Sequence, residues 1–155
     1  MIAAEVRTRE ISQMDRRTSP LRVLVVDDEP LIRWSLTETL TDRGYHVVES
    51  GDGRSARSAV RDASREFDVV VLDLRLPDSE DLSLLASLRR ATPSSRIILM
   101  TAFGTPEVLR GALDLGAYRV INKPFELHDL ADLVEEAGAS RKRRRGRGIF
   151  APTVK

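Results

Sequence analysis

Cysteine does not occur in the 155-residue chain, which excludes a disulfide framework, a thiolate metal site and a cysteine nucleophile. Long apolar runs are lacking as well. The longest, such as Val69 to Leu72 and Ile97 to Met100, are far too short to cross a bilayer, and nothing at the start resembles a signal peptide. A soluble, cytoplasmic protein without a membrane span is the expectation. No repeat with a period of about 20–50 residues is present, which argues against a solenoid or a propeller.

Acidic residues are absent from 141 to 155, a stretch that holds seven of the chain's 25 Arg and Lys, while all 24 Asp and Glu lie before it. The net charge of +1 therefore hides an acidic body and a basic end, Arg141-Lys142-Arg143-Arg144-Arg145-Gly146-Arg147. Because no aromatics interleave these cations, the run reads as a solvated tail, with nucleic acid at most a weak partner through phosphate contacts.

The chain divides into a flexible extension over 1–20, one domain over 21–138 and a basic, disordered tail over 139–155. From Leu21 onward, short β-branched runs alternate with longer amphipathic segments, the pattern of βα units on a parallel sheet. The strands expected are Leu21 to Val26, Tyr45 to Glu49, Val69 to Leu72, Arg96 to Met100 and Tyr118 to Ile121. The middle strands are continuously apolar, so helices should cover both faces. The helices expected run near 30 to 43, 53 to 65, 80 to 91, 106 to 115 and 126 to 137, with Pro30 and Pro106 in first turns and Gly44 and Gly116 ending helices. Ile32, Leu36 and Leu40 give the first helix an apolar stripe, and Trp34 falls off it, so partial exposure is expected there. The economical reading is a three-layer α/β sandwich.

In an open parallel sheet the ligand site lies beyond the carboxyl ends of the strands. Those ends carry Asp27, Asp28 and Glu29 after the first strand, Asp73 at the third, Thr101 at the fourth, and Lys123-Pro124 after the fifth. Any one of them has an ordinary explanation as a helix cap or a solvated charge. Several carboxylates in one crevice, however, repel one another unless a cation binds, and a hard divalent ion such as Mg²⁺ suits them. Lys123-Pro124 is a candidate cis peptide.

The motifs LRVLVVDDEP, VVVLDLRLPD, RIILMTAFG and GAYRVINKPF make residues 21 to 138 resemble the receiver domain of bacterial two-component response regulators, in the chemotaxis-regulator-like, stand-alone form. The resemblance implies a flavodoxin-like fold with five parallel strands in the order 2-1-3-4-5 and five helices. It implies that Asp73 accepts a phosphoryl group, that Thr101 is the switch hydroxyl and that Lys123 contacts the phosphate. Asp27, Asp28, Asp73 and the backbone carbonyl of Arg75 would hold Mg²⁺, with Mn²⁺ as a substitute. The partners implied are a sensor histidine kinase or phosphotransfer protein, an unknown downstream protein, and a second copy of the chain through the fourth helix, fifth strand and fifth helix. Such a protein is not an ordinary enzyme, since it catalyses only its own phosphorylation and dephosphorylation.

Some positions depart from the family pattern. Val120 stands three residues before the lysine, where an aromatic ring is usual. Tyr118 is expected on the same strand face, packing against a neighbouring helix rather than replacing that ring. Ser79 and Asp81 stand where relatives often have glycine, which should stiffen the loop after Asp73. Arg75 and Phe103 occupy positions that in this family influence hydrolysis of the acyl phosphate. Two other readings are a receiver-like interaction module that is never phosphorylated and the N-terminal fragment of a transcription regulator. An aspartyl-phosphate phosphatase would want a second Asp two residues after the nucleophile, where this chain has Arg75.

Overall fold

The β-branched runs form five strands: β1 (Arg22–Val26), β2 (His46–Ser50), β3 (Val69–Asp73), β4 (Arg96–Thr101) and β5 (Arg119–Asn122). All neighbouring pairs are parallel, and the strand order is β2-β1-β3-β4-β5, as the resemblance implies. The computed structural model describes residues 19–149, with side chains described to residue 143. The expected N-terminal extension falls almost wholly outside the described residues.

The helices are α1 (Pro30–Asp42), α2 (Gly53–Asp62), α3 (Ser83–Ala91), α4 (Pro106–Asp114) and α5 (Leu127–Ile149). Pro30 and Pro106 sit in first turns, where a missing N–H costs nothing. Asp52 caps α2 by accepting from the Ser55 amide at 2.7 Å, and Thr105 caps α4 by accepting from Val108 at 3.2 Å. Gly44 and Gly116 close α1 and α4 at φ of 88° and 97°, a conformation in which other residues are strained.

Two apolar layers flank the sheet. Leu36 and Leu40 of α1 and Leu130 and Val134 of α5 pack on Val23, Val25, Val71 and Ile98. On the other face Ala56 of α2, Leu84, Leu85 and Leu88 of α3 and Ala112 of α4 pack on Leu24, Val70, Leu72 and Leu99. Each fully buried Leu, Val or Ile among them stabilises the fold by about 1.5–3 kcal/mol relative to exposure. Trp34 is 59% exposed, as its position off the stripe implies.

Several boundaries differ from the sequence reading. The second helix stops at Asp62 because Ala63 is extended. The third begins only at Ser83, since the preceding loop is taken up by a bridge between Leu76 and Ser79. The fifth helix does not end at 137: it runs to Ile149, through much of the segment read as a disordered tail. Tyr118 also departs from expectation. It packs in the α1/α5 layer while Val120 packs in the opposite one. Tyr118 precedes the strand proper, so the two-residue alternation does not carry back to it.

Candidate functional site

The parallel sheet brings the carboxyl ends of β1, β3, β4 and β5 to one edge, and the loops leaving them form the crevice. At each of the first three ends a side-chain oxygen accepts a backbone N–H from two residues further on. Asp27 Oδ1 accepts from Glu29 at 2.9 Å, Asp73 Oδ1 from Arg75 at 3.1 Å and Thr101 Oγ1 from Phe103 at 3.2 Å. Such Asx- and Ser/Thr-type turns fix the side chain against its own loop, so each chain exit orients its functional group locally.

The remaining oxygens converge. Lys123 Nζ lies 3.0 Å from Asp27 Oδ2 and 3.0 Å from Asp73 Oδ2, with Glu29 Oε1 at 3.7 Å. Lys123 is held in place through its backbone, whose N–H donates to the Thr101 carbonyl at 2.8 Å, and the Lys123–Pro124 peptide is cis. Asp27 is fully buried, Asp73 and Thr101 are nearly so, and Asp28 is exposed at the rim.

Asp27, Asp28 and Asp73 each offer a carboxylate oxygen, and the three lie within 4.8 Å of one another. Three hard oxygen donors at the mouth of a crevice suit a hard divalent cation, which completes its shell with water or phosphate oxygens. The electrostatics agree. Burial, then the neighbouring Asp27 charge, push the Asp73 carboxyl up from its ordinary value against the pull of Lys123. Burial works against the charge on Lys123, but the hydrogen bonds it donates to Asp27 and Asp73, with their negative charges, outweigh it and raise the ammonium. An anion pair held by one ammonium is thus short of positive charge, which a divalent cation would supply.

All the residues expected from sequence lie at this edge. The described side-chain bond of Thr101 runs to its own loop rather than to Asp73. Arg75 follows Asp73 and stacks its guanidinium over the Phe103 ring, 5.2 Å from the centroid, which bridges the loops leaving β3 and β4. The loop after Asp73 is tied down further on, where Asp78 accepts from the Gly53 and Arg54 amides at 2.7 and 3.0 Å at the start of α2.

Sequence reading missed Arg33. On α1 beside the site, it donates to the Asp27 carbonyl at 2.7 Å and pairs with Glu49 at 3.4 Å. Its place one residue after Ile32 of the apolar stripe is the only signal that could have suggested this.

Comparison with known proteins shows what the arrangement is similar to. A family model described as the response regulator receiver domain matches residues 23–135. A probable transcriptional regulatory protein, TcrX of Mycobacterium tuberculosis, is 37% identical over 111 residues, which are 72% of this chain and 47% of that protein. Sporulation initiation phosphotransferase F of Bacillus subtilis is 29% identical over 115 residues, 74% of this chain and 91% of that protein. A CheY-like receiver domain protein from Methanospirillum hungatei, solved by crystallography, superposes with a TM-score of 0.76 at 26% identity, covering 81% of this chain and 99% of that one. The chain spans about half the length of the mycobacterial transcriptional regulators it matches.

Proposed function

The chain belongs to the response regulator receiver domain family, and on that premise we propose that Asp73 is its phosphoacceptor, taking a phosphoryl group from a sensor histidine kinase or phosphotransfer protein. The observation that carries the reading is the single ammonium of Lys123, 3.0 Å from both Asp27 and Asp73. A cation so placed can neutralise the oxygens of an incoming phosphoryl group beside the carboxylate that attacks it.

In the proposed step an oxygen of Asp73 bonds to phosphorus, the phosphorus–nitrogen bond of a phosphohistidine breaks, and the imidazole leaves with its electron pair and takes up a proton. Members of this family typically bind Mg²⁺, and Asp27, Asp28, Asp73 and the Arg75 carbonyl are the ligands we assign to it, Mn²⁺ serving as a substitute. When bound, the ion screens the charge of the transferring phosphoryl oxygens. Asp27 and Asp73 are held for this by their own loop amides, and Lys123 then passes from carboxylate to phosphate. Thr101 would leave its bond with the Phe103 amide and donate to the new phosphoryl group, which carries the change into the loop from Ala102.

Output is proposed to be partner binding by the unit over 21–138, in the cytoplasm. The exposed Leu109, Leu113 and Leu115 at α4 support a homodimer or partner surface there. No helix among the described residues is long and apolar enough to span a membrane. The stand-alone form is supported by the phosphotransferase that matches over nearly its whole length. A receiver unit of a longer transcription regulator is the second reading, supported by the mycobacterial relatives of about twice the matched length.

The test is intact-mass analysis after incubation with a small phosphodonor, with Mg²⁺ or with EDTA. One phosphoryl adduct that needs Mg²⁺ and is absent from Asp73→Asn is expected. An undiminished adduct on Asp73→Asn would overturn the assignment.

A further inference from the structure

The pole opposite the phosphorylation site holds a feature outside the family match, which ends at residue 135. Arg141 is 6% exposed. Its Nη1 pairs with Asp68, its Nη2 lies 3.6 Å from Glu66 and 3.1 Å from Ser94 Oγ, and its Nε donates to the Ser94 carbonyl at 3.0 Å. Asp68 also accepts from the Arg22 amide at 2.8 Å. The first residues of the basic run are therefore clasped to the starts of β1 and β3 and to the turn before β4. One turn earlier the contact is close as well, since any side chain at Gly138 would collide with Leu21.

Left to itself, a run of this composition is a poor helix, because neighbouring cations repel and Gly146 and Gly148 disfavour the conformation. With Arg141 fixed, the helix need only propagate rather than nucleate, and α5 continues to Ile149. Lys142 and Arg143 are exposed, and Arg144, Arg145 and Arg147 follow on the same helix. Among the described residues the acids earlier on α5 are engaged elsewhere: Asp132 and Glu135 pair with Arg43, and Glu136 with Arg119.

We propose that residues 142–147, anchored by the Arg141 clasp, form a preorganised polyanion-binding segment whose ligand is nucleic acid, held through its phosphates. A membrane-surface helix needs an apolar face to insert, whereas Ser140 to Gly148 contains only Ser, Arg, Lys and Gly. The acidic strand-end pole would be repelled by a phosphate backbone, so the molecule would present this end to it. At a rise of about 1.5 Å per residue, residues 142 to 147 span roughly 8 Å. Duplex DNA carries one phosphate per about 1.7 Å, so contact with about four phosphates is geometrically matched. The proposal does not rest on the phosphoryl-transfer reading.

Fluorescence polarisation of the 155-residue chain with random-sequence DNA duplex, RNA and phosphatidylserine vesicles, over a series of salt concentrations, tests it. For wild type, log affinity should fall with log salt at a slope of about −4. The combined variant Arg143→Gln, Arg144→Gln, Arg145→Gln, which changes no clasp residue, should flatten the slope by about three. Asp68→Asn is the sharper arm, because it removes a negative charge yet loosens the clasp; binding roughly tenfold weaker than wild type is expected from lost preorganisation. A cooperative urea transition followed by circular dichroism checks that each variant is folded, and if Asp68→Asn does not fold the triple variant decides. No binding at low salt, a triple variant that binds like wild type, a folded Asp68→Asn that binds as tightly or more tightly, or a preference for vesicles over nucleic acid would each overturn the proposal.

Discussion

Replacing Lys123 with methionine should cost the metal-free protein about 3–5 kcal/mol, the range for breaking a buried ion pair from one side. The side chain of Lys123 is 15% exposed, those of its partners Asp27 and Asp73 are 0% and 7% exposed, and both contacts are 3.0 Å. At an effective dielectric constant of about 20, each contact corresponds to roughly 5 kcal/mol of attraction before desolvation is counted. Methionine keeps the apolar stem but leaves two carboxylates facing each other without a cation. In urea denaturation with EDTA, an m-value of about 2 kcal/mol per molar turns the loss into a midpoint about 2 M lower. The deficit should be largest at neutral pH and shrink as pH falls. With the ammonium gone, the Asp73 carboxyl, already pushed up by burial and by the Asp27 charge, is raised further, and protonation below that value removes the repulsion. Saturating Mg²⁺ should stabilise the variant more than it stabilises wild type, because the ion replaces the missing positive charge. A loss below about 1 kcal/mol in EDTA, measured against that range for buried pairs, or equal Mg²⁺ shifts in the two proteins, would refute the reasoning.

Asp73→Asn should raise stability in EDTA at neutral pH. Its carboxyl is pushed up by burial and by Asp27, so the ionised form strains the fold above that raised value; the advantage in urea midpoint should fade as pH drops through it, and a variant less stable than wild type at pH 7 would contradict this. Arg75→Ala should shorten the lifetime of the acyl phosphate about two- to fivefold in a phosphate-release assay, since an exposed cation–π pair is worth about 0.5–1 kcal/mol in holding the two loops together over the site; an unchanged or longer lifetime would show that the Arg75–Phe103 bridge does not shield it. In hydrogen exchange with beryllofluoride as phosphoryl mimic, wild type should change over residues 102 to 115 and Thr101→Ala should not, if the bond proposed for Thr101 is the contact that differs between the two states.

The strand-end chemistry was legible because the fold delivers it through short-range rules. Once Val23 to Val26, Val69 to Leu72 and Ile97 to Met100 are read as buried parallel strands, the residues after them must share one edge, and Asp27, Asp73, Thr101 and Lys123 follow. What stayed hidden depended on tertiary partners. Arg141 looks like any other cation of a basic run; only its spacing from Leu130, Val134 and Ala137, continuing the buried stripe of α5, hinted that it turns inward toward Asp68. Without that clasp in view, 139 onward reads as disordered rather than as helix. Asp78 gave no sign that it would hook the start of α2. Tyr118 and Val120 were assigned one face by counting, but the count fails where the strand has not yet begun.

The central claim, that Asp73 carries the phosphoryl group, is tested most directly by trapping the acyl phosphate chemically. After phosphorylation with Mg²⁺ and a small phosphodonor, borohydride reduction converts an aspartyl phosphate to homoserine, and peptide sequencing by mass spectrometry then locates it. The account predicts homoserine at position 73 and nowhere else, formed only when Mg²⁺ was present during phosphorylation. Homoserine at another carboxylate, or a phosphorylated protein with unreduced Asp73, would contradict it.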